Sequence, residues 1–199
     1  MGDKKFVDNY LRETEGIARL MSREDIEKMI DLLFKAWKDG RQVFLAGNGG
    51  SAGTATHLAG DLSKYVSTGG KKAFRAFSLN ENVPLLTALT NDLGWENVYV
   101  EQLKNVFQRG DVFIVISVHG GSGSDKAGPW SQNLLKAAKF VKDNGGTVLG
   151  LAGFDGGVLK KIADACVVVP ASSTPHVEGF HSVISHLIVE RLRELIAKS

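Results

Sequence analysis

The sequence predicts an α/β protein: a parallel sheet covered by helices on both faces, entered through a leading pair of helices. Three observations carry this. Five short runs rich in β-branched and aromatic residues have the length and composition of strands: "VFLA" from Val43, "AFRAF" around Phe74, "VFIVIS" from Val112, "TVLGLA" from Thr147 and "ACVVVP" from Ala165. Segments with apolar residues at helical spacing separate most of them. The runs are apolar nearly throughout, as strands are when both faces of a parallel sheet are buried.

Taken in order, residues 6–21 and 24–38 carry apolar side chains at helical spacing, with Ser22 placed to cap the second helix and Gly40 to stop it. Behind the first strand the pattern predicts a helix over 51–66, then helices over 83–89, 95–107 and 131–143, a short helical turn after Gly157, and a last helix over 177–197. No internal repeat, low-complexity tract or linker interrupts this order. Residues 1–199 are therefore expected to form one domain, with 1–40 as its helical pair and 41–199 as its α/β core.

Composition narrows the function classes. The formal net charge is +2 with both signs interspersed, which gives no electrostatic footprint for nucleic acid or an anionic membrane. The single cysteine, Cys166, lies in an apolar run and reads as a buried core residue, excluding an intramolecular disulfide framework. The first twenty residues mix charges throughout, and no segment reaches the ~20 apolar residues of a membrane span. A cytoplasmic, unsecreted protein is expected.

Two glycine-rich segments stand where a parallel sheet binds ligands, beyond the carboxyl ends of strands and before helices. Gly47-Asn48-Gly49-Gly50-Ser51 follows the first strand; Ser117-Val118-His119-Gly120-Gly121-Ser122-Gly123-Ser124 follows the third and opens an unusually long loop. Backbone N–H groups at a helix start form an anion site, and glycine lets a phosphate approach them. Neither segment has the Gly-Lys-Ser/Thr of a nucleoside-triphosphate loop or the third glycine of a dinucleotide fingerprint, so no nucleotide cofactor is expected. The bland alternative is a pair of tight turns; the sharper one is a phosphate, carried by a sugar, against residues 47–51.

Of the five histidines, His57 and His119 fall in or beside these segments, and His176, His181 and His186 beside or in the last expected helix. His57 and Asp61 are four residues apart and share a helix face, and Glu178, Ser182 and His186 make a second polar track at the same step on an otherwise apolar helix. Such a set can serve as acid/base partners or as zinc ligands. Spacing alone favours the plainer reading, in which His57 and Asp61 are a surface ion pair and His186 a hydrogen-bonded core histidine.

In order and spacing, "GNGGSAGTATHLAGDL", "LTNDLGWENVY", "GDVFIVIS", "GLAGFDGGVL" and "VEGFHSVISHLIVE" resemble the sugar isomerase (SIS) domain family in its phosphoheptose isomerase branch. The resemblance implies a three-layer sandwich around a five-stranded parallel sheet, a homotetramer with active sites at subunit contacts, and conversion of sedoheptulose 7-phosphate to a heptose 7-phosphate. It implies Asp61 and His186 as the acid/base pair, zinc at the same site with His57 and Glu178 as further ligands, and substrate contacts at Asn48, Gly49, Gly50, Ser51, Asn91, Asp92, Ser117, His119, Ser122 and Glu178.

Several positions depart from the family pattern. Asp61 stands for the usual glutamate and Glu178 for the usual glutamine. The usual Ser-Thr-Ser-Gly-Asn-Ser loop is Ser117-Val118-His119-Gly120-Gly121-Ser122, followed by an insertion around Asp125 to Ser131, and Pro175 replaces an acidic substrate contact. The retained Asp61 and His186 favour an enzyme. The altered loop favours a non-catalytic SIS relative, either a phosphosugar sensor or a protein-binding adaptor of the replication-initiator-associating type.

Overall fold

The structure, a computed structural model, describes residues 3–121 and 131–199. The five apolar runs become β1 (Gln42–Gly47), β2 (Arg75–Ser78), β3 (Val112–Ile116), β4 (Thr147–Ala152) and β5 (Ala165–Val168), all paired in parallel in the order β2-β1-β3-β4-β5. Alternate side chains of a strand leave opposite faces. Val43 and Leu45 of β1 therefore enter one core while Phe44 and Ala46 enter the other, and all four are buried. The first core is completed by α2 (Arg23–Lys38), α3 (Gly50–Lys64) and α8 (Thr174–Ala197); the second by α5 (Val98–Val106), α6 (Gln132–Asp143) and α7 (Gly157–Ile162). This is the three-layer α/β sandwich expected from the sequence.

Local signals set the boundaries. Ser22 caps α2 by accepting the Asp25 N–H at 3.2 Å, and Gly40, at φ +64°, ends it. The fourth helix, α4 (Val83–Leu93), outruns the expected 83–89, because apolar spacing fades at Leu89 while nothing stops the backbone before Gly94 at φ +85°. Its start is fixed by the Asn82 side chain, which accepts the Leu85 N–H at 3.0 Å. The helix expected over 95–107 divides into a 3-10 turn at Trp95–Asn97 and α5. The leading helix α1 (Lys4–Leu20) buries only Ile17, and α4 buries no residue. Among the described residues, no helix is long and apolar enough to cross a membrane.

Candidate active site

Strand order reverses between β1 and β3, since β1 leads outward to β2 on one side while β3, β4 and β5 extend on the other. Crevices at such switch points are where open parallel sheets bind ligands. The two glycine-rich segments leave these two strands, so the order of the sheet sets them side by side.

The first segment is tightly built. A Cβ on Gly47 would run into the Ser51 carbonyl, and Gly49 stands at φ +57°, so both glycines are required by the way the chain folds back into α3. Ser51 is buried, and its N–H and that of Ala52 donate to the carbonyls of Asn48 and Gly49. Beneath the turn lies a polar network that the sequence reading did not anticipate. Asn80 accepts the Gly47 N–H at 3.2 Å and donates to the Gly47 carbonyl at 2.9 Å and to the Tyr99 hydroxyl at 2.8 Å. Tyr99 lies 2.8 Å from the Gly47 carbonyl and 3.1 Å from Asn48 Oδ1, able to donate to either. Asn48 and Asn133 each donate from Nδ2 to the other's Oδ1 at 3.0 Å. Asn48, expected as a substrate contact, thus spends most of its hydrogen-bonding capacity inside the protein.

The second segment is held by backbone contact. Ser117 is buried, its hydroxyl 3.4 Å from that of Ser131. Gly120, at φ +63°, accepts the Leu159 N–H at 2.9 Å, and a Cβ there would run into the Gly156 carbonyl. The His119 ring packs on Phe154 with centroids 4.2 Å apart. Ser122 lies outside the described residues.

Both α3 and α8 begin at this end of the sheet and run side by side in the same direction, since Gly50 meets Glu178, His57 meets His186, and Tyr65 meets Glu190. His57, Asp61 and His186 form a cluster on this seam. His57 Nε2 is 3.0 Å from His186 Nε2 and 3.3 Å from Asp61 Oδ2, and His186 Nε2 is 3.7 Å from the same oxygen. Ligands ~2.0–2.1 Å from a tetrahedral zinc stand about 3.3 Å from one another, so these donors fit such an ion and leave its fourth position open. The histidine side chains are 61% and 59% exposed, which makes the ion pairs alone worth little.

Other expected site residues lie apart from the cluster. Glu178 is not brought to the three ligands; its half-buried carboxylate sits over the start of α3, with Oε1 2.6 Å from where a Cβ on Gly50 would be. The four-ligand expectation is corrected on this point, because two turns of α8 separate Glu178 from His186. Asn91 and Asp92 are exposed at the end of α4, where Asn91 donates to Asp92 at 2.8 Å, and among the described residues neither bonds to the loops or the cluster. His176 stacks on Tyr10 at 4.1 Å, while His181 is fully buried, and burial pushes its pKa down to about 4.

A SIS-domain family model matches residues 6–153. The phosphoheptose isomerase 2 of Campylobacter jejuni is 33% identical over 193 residues, covering 96% of this chain and 88% of that one. The chain belongs to the SIS-domain family, in its phosphoheptose isomerase branch. The phosphoheptose isomerase of Helicobacter hepaticus is 34% identical, with 90% of each chain covered. The solved phosphoheptose isomerase of Neisseria gonorrhoeae shares the fold, with a TM-score of 0.83 over 97% of this chain and 100% of that one at 22% identity.

Proposed function

We propose that this chain is a phosphosugar aldose–ketose isomerase, interconverting sedoheptulose 7-phosphate and D-glycero-D-manno-heptose 7-phosphate, and that residues 1–199 act as one SIS domain. Family membership supports the reaction class. The observation that carries the substrate class is the spacing along α3. From Gly50 at the helix start to His57 is seven residues, about 10 Å of helix axis, a span that a seven-carbon chain with a terminal phosphate covers and a triose does not.

In this reading the phosphate rests at the start of α3. Since the N–H groups of Ser51 and Ala52 are already used, those of Gly49 and Gly50, the Ser51 hydroxyl and the positive helix end receive it. Ser117 and Ser122 serve it from the second loop, with His119 shaping the pocket beside Phe154. The carbonyl end then reaches the cluster. Asp61 and His186 are the proton carriers: one removes the proton alpha to the carbonyl, an enediolate forms, and a proton returns to the neighbouring carbon. Zinc held by His57, Asp61 and His186 would polarise the sugar oxygens; it would occupy His186 Nε2, so His186 would carry a proton only with that nitrogen off the ion. Asp61 can take both parts through different atoms, since Oδ2 faces the two imidazoles and Oδ1 is left for the proton. Glu178, whose carboxylate lies over the start of α3, borders the phosphate end of the sugar.

The assembly is a cytoplasmic homotetramer. The exposed apolar side chains of α1 and α4, among them Phe6, Leu11, Leu20, Val83 and Leu93, support burial against further copies. Asn91 and Asp92 reach a site only across such a contact. The deciding experiment incubates zinc-loaded protein with sedoheptulose 7-phosphate in heavy water. NMR should show deuterium at the carbon that gains the proton, in product and in recovered substrate. Neither product nor exchange with five-, six- and seven-carbon ketose phosphates sinks the isomerase; binding without exchange makes the chain a sensor.

A further inference from the structure

The network under the first loop ties together more than one turn. Asn48 lies in the turn that opens α3, and Asn133 in the first turn of α6, the helix entered from the far end of the second glycine-rich segment. Their reciprocal pair of 3.0 Å hydrogen bonds is a strut between the two helix starts that flank the switch point. Its geometry is determined from both sides. Asn133 is buried, and its Oδ1 also accepts the Leu134 N–H at 2.9 Å, so its amide can face Asn48 in one orientation only. On the other side Asn48 Oδ1 lies 3.1 Å from the Tyr99 hydroxyl. Tyr99 is fully buried, and burial pushes its pKa up to about 12, so it remains a donor across the working pH range.

We propose that Asn133 and Tyr99 are positioning residues which orient the Asn48 amide and fix how far the start of α3, which receives the substrate's phosphate, stands from the start of α6. This rests on the phosphosugar reading above. With Asn48 Oδ1 and one of its N–H groups engaged by the strut, Asn48 offers a ligand a single N–H, and its main part is to hold the cradle's width. Buried polar networks act as units, so removing either end of the strut should release the same contacts.

Two variants test this. Asn133→Leu keeps the volume and deletes the amide; Tyr99→Phe deletes only a hydroxyl and serves alone should the first not fold. The probes are inorganic phosphate by calorimetry and sedoheptulose 7-phosphate by steady-state kinetics, on proteins with intact circular dichroism well below their melting temperature. Asn133→Leu should weaken phosphate binding roughly ten- to hundredfold and raise KM in step, with kcat within about threefold of the parent. Tyr99→Phe should act in the same direction by less. Asn48→Ala combined with Asn133→Leu should be no worse than Asn48→Ala alone, because one strut is lost once. A folded Asn133→Leu or Tyr99→Phe variant with phosphate affinity and KM within about twofold of the parent overturns the proposal. A parent that binds phosphate but turns over no sugar defeats the isomerase reading and leaves the phosphate measurement to decide the strut. A parent that binds no phosphate defeats both.

Discussion

The turn at the start of α3 and the cluster two turns further along the same helix are held in opposite ways. Under the turn, the Gly47 amide, Asn48, Asn80, Tyr99 and Asn133 bond to one another, with Tyr99 and Asn133 buried and Asn48 and Asn80 half-buried. At the cluster, two imidazoles and a carboxylate face one another from neighbouring helices, the rings more than half exposed. The first arrangement is complete without a ligand. The second consists of converging lone pairs that an ion or a substrate would draw together. Preorganisation is thus invested at the anion end, where an error in position loses binding, and left incomplete at the reacting end.

The sharpest way to break this contrast is to remove a proton carrier. His186→Gln keeps size and hydrogen bonding, and should lower turnover on the order of a hundredfold to ten-thousandfold while KM hardly changes. Because the side chain is exposed, the melting temperature should stay within about 2 °C of the parent. Asp61→Asn should lose turnover similarly, and because Asp61 and His186 are both zinc ligands in this reading, metal analysis should find less zinc in either variant. A variant in which KM rises and kcat persists would mean that the cluster binds and the chemistry lies elsewhere.

The converse test removes the anion end. Ser51→Ala deletes a buried hydroxyl at the helix start, and losing one hydrogen bond to an ionised group should weaken phosphosugar binding about tenfold to a hundredfold. Calorimetry with the phosphosugar reads this directly, and the zinc content should be unchanged. Equal affinities would reduce the segment to a turn.

The sheet, most helices and the cluster were legible because each rests on periodicity. Apolar runs and helical spacing survive in the sequence whatever the tertiary context, and the four-residue steps from His57 to Asp61 and from Glu178 to His186 define faces. Which faces meet is not written there, so Glu178 was grouped with ligands that it does not join. The strut was hidden for a related reason: Asn48, Asn80, Tyr99 and Asn133 are far apart in the chain and share no spacing. One signal was nevertheless present. Asn133, Ala137 and Val141 follow the four-residue step on the buried stripe of α6, where an asparagine is out of place unless it is bonded.

The frame behind both regions is α8, and His181 ties it to pH. Burial lowers its pKa to about 4 from an unfolded value near 6.5, with the backbone of Ala152 opposing the shift. The native state therefore excludes a proton that the unfolded chain binds. This contribution is complete above pH 6.5 and fades as pH falls toward 4, a loss on the order of 2 kcal/mol by pH 5. Urea denaturation at pH 7 and pH 5 should show it, and His181→Gln should flatten the difference. An equally steep decline in that variant would assign the acid sensitivity to another group.

The smallest effect sharpens the comparison most, because it asks whether the two regions communicate. The Glu178 carboxylate over the start of α3 stands where the helix dipole attracts a phosphate, so it opposes the charge that the turn is built to receive. Glu178→Gln removes the charge and keeps the shape. If the carboxylate acts on the anion only through space, inorganic phosphate should bind up to about fivefold tighter at low salt, an advantage that shrinks as added salt screens the pair. Zinc content should not change, since Glu178 stands outside the three-ligand cluster. Should the substitution instead strip the metal, α8 must move to bring Glu178 onto the cluster, and the incomplete end of the site would be a state that closes.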